Sequence, residues 1–232
     1  RNINKDKKII VFFSTINVTK YYTNLLNYID LKCFGLYGSM SQKERTKTFL
    51  NFKNSKKGIL LTTNVCARGL DIPNIDWIIQ YDPPNNIKEY IHRVGRTNRG
   101  HLNDKNNKNG KALLFLIPNE LKYLKVLKKN KIILKEYQLP KNKKIANIQN
   151  QLQKITKTIY FLHIQAHNAY QAYIREYGLR NNKIFNITKM NIIELANSFG
   201  LENPPKTYID VKGIKNQVSM RLPTNEWILD DT

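Results

Sequence analysis

The sequence is poor in the residues that several common classes of protein require. Its two cysteines, Cys33 and Cys66, are too few for a disulfide framework or for a cysteine zinc site. No stretch approaches the roughly 18 consecutive apolar residues of a membrane-spanning helix. The sequence has neither an initiating methionine nor the apolar segment of a secretory signal, so we expect it to be a piece of a longer chain.

Motifs for nucleotide hydrolysis and for metal binding are also missing. There is no G-x-x-x-x-G-K-[ST] phosphate loop and no Asp-Glu-Ala-Asp run to hold the β- and γ-phosphates and Mg²⁺. Among the histidines, only His163 and His167 have the spacing of paired metal ligands, and no carboxylate or cysteine lies nearby to complete a site. We therefore expect no metal site, and no ATP hydrolysis by this chain alone.

Acidic residues are scarce relative to basic ones. Lys and Arg number 39 against 17 Asp and Glu, which gives a formal charge of +22 and a pI near 9.9. Such an excess favours a polyanionic partner, most commonly nucleic acid, with a membrane surface as the alternative. Hydrophobic residues make up 41% of the chain, which is enough for a packed core.

The segment His92–Gly100, called here the arginine segment, concentrates positive charge in a pattern suited to phosphate. Arg93, Arg96 and Arg99 recur at every third position, so a helix or turn groups them on roughly one side. Arginine binds phosphate oxygens bidentately and stays charged at any working pH. Gly95 lets a phosphate or another backbone come close. The pattern indicates a site that neutralises charge during phosphoryl transfer. A solvated basic helix face is the alternative.

Apolar runs alternate with helical patterns and predict an α/β fold. The runs that predict strands lie at residues 8–13, 33–37, 58–62, 77–80 and 112–117. Helical spacing and capping signals predict helices at residues 18–29, 41–52 and 118–130. A further helix is predicted to begin at residue 87 and to continue through the arginine segment. This alternation implies parallel βαβ units with helices on both faces of the sheet. Ligands bind such sheets at the C-terminal ends of the strands.

The composition changes at Pro140-Lys141-Asn142-Lys143-Lys144, which indicates a domain boundary. Beyond it, helical spacing predicts a long helix over residues 145–177 and a shorter one over about 191–199 that stops at Gly200. Pro204-Pro205 then interrupts regular structure. The predicted domains are an α/β domain at residues 1–139, a helical extension at 140–205 and an extended tail at 206–232.

Four segments of the first domain resemble one family. In order and spacing they are similar to motifs IV, IVa, V and VI of the second RecA-like domain of the DEAD-box RNA helicases, over about the first 140 residues. They are Ile10–Thr15, Tyr37–Arg45, Thr62–Pro73 and the arginine segment. The resemblance implies a RecA-like parallel sheet in an ATP-dependent RNA helicase. It also implies an upstream RecA-like domain of the same full-length chain, which supplies the phosphate loop and holds Mg²⁺.

Later segments resemble the helical module of a nucleolar DEAD-box subfamily that serves large-ribosomal-subunit assembly. They are Ile145–Leu152, Ala169–Tyr173 and Ala196–Leu201, with Asp76–Pro84 and Lys88–Arg93 in the first domain. The resemblance implies that the protein acts in rRNA processing during ribosome biogenesis and that its RNA partner is pre-rRNA. It also implies that the protein is located in the nucleus, within the nucleolus. We also expect pre-ribosomal proteins as partners, and we do not expect the protein to bind a membrane. The alternative for the extension is a helical hairpin that only stabilises the core.

The resemblance assigns an RNA-binding role to Ser14, Thr15, Gly38, Arg45 and Thr63. Gly38 leaves room for a phosphodiester, and Arg45 lies near a helix N-terminus whose amides favour an anion. Ser14, Thr15 and Thr63 lie at strand ends, where hydroxyls and amides reach phosphates. Binding the backbone rather than the bases predicts an RNA site that tolerates any sequence and is sensitive to salt.

The resemblance assigns an ATP-binding role to a second set of residues. Gly69 and Asp71 belong to the loop after Thr63, and the Asp71 carboxylate accepts hydrogen bonds from ribose hydroxyls. Arg96 and Arg99 act as arginine fingers on the γ-phosphate. His92, the third residue expected to act in catalysis, links this site to the partner domain.

Two residues depart from the family pattern. Asn64 stands where the family most often has Asp, so it keeps hydrogen bonding but lacks the charge. Asn98 stands where a glycine or small residue is usual, and asparagine tolerates left-handed backbone better than most residues. Arg93 is interpreted as a residue that braces the loop.

Two other functions stay open at the level of sequence. One is a non-enzymatic RNA-binding or ribosome-assembly scaffold that kept the helicase fold without its activity. The other is a DNA helicase or translocase, which shares the RecA architecture but has a different arginine motif. The presence of Asp71, Arg96 and Arg99 favours the enzyme over the scaffold.

Overall fold

Residues 7–64, 71–96, 110–137, 146–181, 183–210 and 219–221 are described by the computed structural model. The chain divides into two units, Arg1–Lys144 and Ile145–Thr232. Within the described ranges, no helix is long and apolar enough to cross a bilayer.

The first unit contains a five-stranded sheet whose strands all run parallel. The strands are β1 (Lys8–Phe13), β2 (Phe34–Leu36), β3 (Gly58–Thr63), β4 (Trp77–Gln80) and β5 (Lys111–Leu114). They are ordered β2-β3-β1-β4-β5 across the sheet, which confirms the predicted parallel α/β fold. Phe13 lies opposite Thr63, and Phe12 lies opposite Gln80. Because the strands share one direction, all their C-terminal ends lie at the same edge, called here the C-terminal edge.

Three of the four α-helices described in the first unit begin where the sequence provides a capping side chain. The helices are α1 (Ile16–Tyr28), α2 (Gln42–Asn54), α3 (Ile87–Val94) and α4 (Lys122–Lys129). Thr15, Ser41 and Asn86 precede the first three, and each accepts a hydrogen bond from the backbone N–H three residues later. Ser41 and Glu44 form the predicted capping box.

The C-terminal limit of α3 differs from the prediction. The sequence predicts a helix that continues through the arginine segment, but α3 ends at Val94 and Gly95 leaves the helix at φ −64° and ψ 5°. The Arg96 N–H then donates to the Arg93 carbonyl at 3.2 Å, which closes a tight turn. Glycine is a poor helix former, which accounts for the stop.

Alternate strand residues pack against helices on the two faces of the sheet. Phe13 of β1 stacks on Tyr22 of α1, with ring centroids 5.2 Å apart. On the opposite face, Phe52 of α2 packs into a core of strand residues. Those strand residues are Ile10, Phe12, Leu36, Leu60 and Ile78. The prediction of helices on both faces is therefore confirmed.

The second unit is helical, but its first predicted helix is interrupted. Instead of one helix over residues 145–177, the structure has α5 (Gln149–Thr158) and α6 (Tyr160–Gly178). Ile159 between them is extended, with φ −96° and ψ 101°. A β-branched residue favours that conformation, and helical spacing alone does not reveal the break.

Aromatic side chains form the core of the second unit. Tyr170 and Tyr173 of α6 contact Phe199, and Tyr177 contacts Phe185. The following helix, α7 (Ile192–Ser198), stops before Gly200 as predicted. Within the segment predicted as an extended tail, two short strands pair antiparallel. They are β6 (Tyr208–Asp210) and β7 (Ser219–Arg221).

Candidate functional site

Residues predicted to contact RNA follow three neighbouring strands. Gly38 lies two residues beyond β2, Thr63 ends β3 and Ser14 directly follows β1. Since β2, β3 and β1 are adjacent and parallel, these residues line one continuous stretch of the C-terminal edge. The structure thus brings them together, and their contact with RNA stays a prediction.

Ser14 and Thr15 join β1 to α1 and make contacts within the protein. The Ser14 N–H donates to Asp82 Oδ2 at 2.7 Å. Its Oγ is buried and finds no hydrogen-bond partner in the part of the chain that the structure describes. Thr15 Oγ1 accepts from the Val18 N–H at 3.2 Å. A hydroxyl that accepts still has a hydrogen to donate, so Thr15 can also bind a phosphate at the start of α1.

Gly38 is exposed, whereas Thr63 is buried. A β-carbon at Gly38 would meet only Ile16 Cδ1 within 4 Å, at 3.3 Å. The space above Gly38 is therefore open enough for a phosphodiester to approach. Next to Thr63, Thr62 Oγ1 donates to the Leu36 carbonyl at 2.9 Å and joins β3 to β2. Thr63 itself is only 6% exposed, so little of this residue is accessible to a ligand.

The N-terminus of α2 is predicted to form an anion site with Arg45, and it already holds a carboxylate. Glu44 Oε2 accepts hydrogen bonds from Ser41 Oγ at 2.8 Å and from the Ser41 N–H at 2.9 Å. The bond from the Ser41 hydroxyl, and then that from its amide, lower the pKa of Glu44. Arg45 lies half-buried in the first turn, with Nη1 3.4 Å from Gln42 Oε1. The Ser41 amide is therefore already bonded, and Arg45 adds a positive charge that a phosphate at this helix start could bind.

Arg93 is the buried arginine of the arginine segment, only 3% exposed. Its Nη1 donates to the Asp82 carbonyl and its Nε donates to Asn64 Oδ1, both at 2.6 Å. Its guanidinium carbon lies 5.1 Å from the centroid of the Phe12 ring. This one side chain therefore holds α3 against the ends of β1, β3 and β4.

Asp82, two residues beyond β4, is a site residue to which the sequence motifs assign no role. Its carboxylate accepts from the Ser14 N–H and its carbonyl accepts from Arg93. It is 3% exposed and connects the end of β1 with α3. Its position in the sequence could have indicated this role, because a carboxylate just beyond a buried parallel strand lies at the edge of the sheet where ligands bind.

His92 and Arg96 flank Arg93 and are more accessible than it. His92 is exposed and Arg96 is half-buried, with Arg96 Nε donating to the His92 carbonyl at 3.1 Å. Arg93, which lies between them in the chain, reaches the strand ends, so the backbone of this turn comes close to the C-terminal edge. Asp71 is also exposed. Two residues predicted to bind ATP lie outside the described residues, namely Gly69 and Arg99.

Asn64 directly follows β3 and contacts two residues of α3. Its Nδ2 donates to Glu89 Oε2 at 3.1 Å, while its Oδ1 accepts from Arg93. Glu89 Oε2 also accepts from the Asn85 N–H at 3.0 Å. Both ends of the Asn64 amide are therefore used to join β3 to α3.

Within the ranges described, no group of three or more His, Cys, Asp or Glu side chains is placed to hold a metal ion. The His163 and His167 rings lie with centroids 4.5 Å apart on α6. Burial, and then the proximity of His163, lower the pKa of His167.

Two family profiles match separate parts of the chain. The helicase conserved C-terminal domain matches residues 2–101, which include the predicted RNA-binding residues and the whole arginine segment. The C-terminal extension of ATP-dependent rRNA helicases of the SPB4 type matches residues 160–207, which include α6 and α7.

Curated relatives from yeasts and a slime mould share about half of the aligned residues. The ATP-dependent RNA helicases HAS1 of Candida glabrata and Saccharomyces cerevisiae are 50% and 49% identical over 209 residues. The probable ATP-dependent RNA helicase ddx18 of Dictyostelium discoideum is 51% identical over 209 residues. Each match covers 90% of this chain, but only 41%, 40% and 34% of the respective relative. The chain thus spans about two fifths or less of the length of these relatives.

Solved DEAD-box structures share the fold. Domain 2 of the DEAD-box helicase Mss116p, bound to an RNA duplex, superposes with a TM-score of 0.58 and 27% identity, over 86% of this chain and 76% of that one. Mss116 bound to single-stranded RNA and UDP-BeF gives a TM-score of 0.57 and 27% identity, over 86% of this chain and 38% of that one.

Proposed function

This chain belongs to the DEAD-box RNA helicases, as their second RecA-like domain with its C-terminal extension, and on that basis we propose that it is the C-terminal part of an ATP-dependent RNA helicase. In that enzyme it grips the backbone of one RNA strand and supplies arginines for ATP hydrolysis. One observation carries the proposal. Gly38, Thr63 and Ser14 line three neighbouring strand ends, and the same edge adjoins the last turn of α3, which carries His92 and leads directly to Arg96.

On the RNA side, the groups along the edge suit phosphates rather than bases. Gly38 offers open space, and the Ser14 hydroxyl is buried without a partner among the described residues. Arg45 adds a positive charge beside them. Contacts to phosphate and sugar carry no sequence information, so we propose that the RNA is bound without base preference.

On the ATP side, Arg96 and Asp71 are the described residues suited to a nucleotide. The Arg96 guanidinium is half-buried and always charged, so it neutralises negative charge that develops on the transferred phosphoryl group. The exposed Asp71 carboxylate is an acceptor for ribose hydroxyls. We propose that Gly69 and Arg99 complete this set, and that Mg²⁺ is held by an upstream RecA-like domain of the full-length chain.

The proposal can be tested in a HAS1 chimera, in which this chain replaces the matching segment of the Saccharomyces cerevisiae relative. This chain is 49% identical to the relative over 209 residues, so the exchange keeps about half of the aligned residues unchanged. We expect RNA to stimulate ATP hydrolysis by the HAS1 chimera, and a DNA strand of the same sequence to stimulate it much less. Arg96→Ala in the same chimera is the control for the arginine finger. A folded chimera that binds RNA but hydrolyses no ATP, while the parent enzyme does, would favour the scaffold.

We propose further that the RNA is ribosomal and that the protein acts in the nucleolus. The support is the match of residues 160–207 to the extension of rRNA helicases. Replacing HAS1 in yeast by the HAS1 chimera should sustain growth and normal processing of precursor rRNA, and a fluorescent fusion should collect in the nucleolus. If cells depleted of the chimera kept growing and processed precursor rRNA normally, the rRNA assignment would be contradicted.

A further inference from the structure

We infer that Asn64 is a positioning residue for ATP hydrolysis, and that its function is to supply a side-chain oxygen to the buried Arg93. The inference rests on the proposed function, because ATP hydrolysis is the activity that it concerns. It assigns a role to the position after β3 at which this chain departs from the usual aspartate.

Arg93 needs acceptors because its charge lies inside the protein. Only 3% of the residue is exposed, and a buried charged donor without a partner is costly. Its contacts with Asn64 and the Asp82 carbonyl, both 2.6 Å, are short, as expected of hydrogen bonds from a charged donor. Without the Asn64 oxygen, the Arg93 Nε loses this acceptor, and the residue after β3 loses this hydrogen bond to the guanidinium.

The position of Arg93 explains why its orientation bears on the ATP site. Arg93 lies in the last turn of α3, a helix of only eight residues. Arg96 follows three residues later, its N–H bonded to the Arg93 carbonyl and its Nε to the His92 carbonyl. A displacement of the Arg93 turn therefore moves the Arg96 backbone directly. A misplacement of about 1 Å in a catalytic site can lower a rate about 10²-fold.

The other half of the Asn64 amide explains how this chain tolerates asparagine. Nδ2 donates to Glu89 at 3.1 Å, so each end of the amide faces a group of the complementary kind. An aspartate at this position would still offer an oxygen to Arg93, but its second oxygen would face the Glu89 carboxylate. Glu89 would then turn away, and the link from β3 to Arg93 would persist. The shared requirement of both residues is the oxygen, not the charge.

Asparagine, aspartate and leucine have side chains of nearly the same shape, so comparing them at position 64 shows whether the oxygen or the charge is required. Asn64→Asp keeps the oxygen and adds a charge, whereas Asn64→Leu keeps the shape and removes both polar atoms. In the HAS1 chimera we expect Asn64→Asp to retain at least about half of kcat. We expect Asn64→Leu to lower kcat about 10-fold or more. The KM for ATP, and the RNA concentration that gives half-maximal stimulation of ATP hydrolysis, should each change less than about 2-fold. Asn150→Leu, at an exposed position of α5, is the matched control and should behave like the unsubstituted chimera.

Folding is measured in parallel, because a buried substitution can act by unfolding the protein. Each variant is melted, and kcat is determined well below its melting temperature and per folded molecule. If Asn64→Leu does not fold, Asn64→Ala and Arg93→Lys take its place. Alanine leaves room for water, and lysine keeps the charge without the fork that reaches Asn64 and Asp82 together. Both should lower kcat in the same way.

The outcomes distinguish this inference from the proposed function. Normal kcat in folded Asn64→Leu, or a loss of activity that only follows the unfolded fraction, overturns the inference and leaves the proposed function intact. An Asn64→Asp variant as slow as Asn64→Leu shows that the oxygen is not the required feature. An unsubstituted chimera without RNA-stimulated ATP hydrolysis refutes the proposed function, and the inference with it.

Discussion

At the scale of single residues, Arg45 and Arg96 are positive side chains with separate surroundings. Arg45 lies in the first turn of α2 beside Gln42, whereas Arg96 follows α3 and bonds to the His92 carbonyl. Both are half-buried, so each keeps part of its guanidinium accessible to a ligand. Because Arg45 lies on α2 and Arg96 lies in the turn after α3, the RNA and ATP roles should be separable by mutation.

In the HAS1 chimera, Arg96→Ala should lower kcat for ATP hydrolysis by about 10³-fold, the lower range known for arginine fingers. RNA binding without nucleotide should barely change. Arg45→Ala should weaken RNA binding and lower the ATPase rate only through lost stimulation. Titrating RNA to saturation should then restore much of the Arg45→Ala rate and none of the Arg96→Ala rate. Identical behaviour of the two variants under saturating RNA would contradict the division into two faces.

The lowered pKa of His167 predicts that the stability of the second unit depends on pH. Burial and the neighbouring ring hold the pKa of folded His167 below the ordinary value of 6.5. The unfolded chain therefore takes up the proton first as the pH falls, so stability is complete above about pH 6.5 and declines below it. Urea unfolding between pH 7.5 and 5.5 should show this decline. His167→Gln should reduce the decline, and an equal decline in that variant would assign it to other groups.

Arg93 shows what sequence can and cannot predict about single residues. The spacing of three arginines is visible in the sequence and indicates a phosphate site. It does not reveal that Arg93 points inward to Asn64, Asp82 and Phe12 while Arg96 does not. That difference depends on strands distant in the chain meeting at one edge, which local spacing does not encode.

At the scale of elements, Gly200 ends α7 in a conformation that few other residues adopt. Its φ is +72°, and a β-carbon there would collide with the Thr156 hydroxyl and lie 3.0 Å from Leu152 Cγ and the Leu152 carbonyl. The Leu201 N–H donates to the Ala196 carbonyl at 3.0 Å, which completes the helix end. The close approach of α5 leaves no room for a side chain at this position.

Gly200→Ala should therefore destabilise the protein by about 2 kcal/mol or more, from left-handed backbone strain and from the collision with α5. Thermal unfolding followed by circular dichroism measures the effect. Gly38→Ala is the control, since its β-carbon would meet only the flexible end of Ile16. A similar loss of stability in both variants would show that neither the conformation nor the collision matters.

The residues at which helices and strands begin are easier to predict from the sequence than the residues at which helices end. The capping box of Ser41 and Glu44 and the strand β4 follow from local chemistry, and the structure has them where the pattern indicates. The break at Ile159 and the early end of α3 at Val94 are not visible in the spacing of apolar residues. The break at Ile159 lies inside a run that keeps helical periodicity, because Thr156 before it and Leu162 after it are both buried.

At the scale of the whole molecule, the chain alone should bind RNA but not hydrolyse ATP. The excess of positive charge and the open edge favour binding to phosphates, while the sequence lacks a phosphate loop. We expect weak binding of single-stranded RNA without base preference in fluorescence anisotropy. The logarithm of the affinity should fall linearly with that of the salt concentration, with a slope of about −0.7 for each phosphate contacted. Robust ATP turnover by the chain alone would contradict this expectation.

The parallel sheet also provides an optical probe at the edge opposite the site. Trp77 begins β4, about 10 Å from the other end of that strand, and the Lys111 ammonium lies 5.4 Å from its ring centroid. With Trp227→Phe, Trp77 becomes the single tryptophan of the chain. Its emission should change when the sheet unfolds and should stay constant when RNA binds at the C-terminal edge. Fluorescence can then report how much protein is folded in the same cuvette in which RNA is titrated.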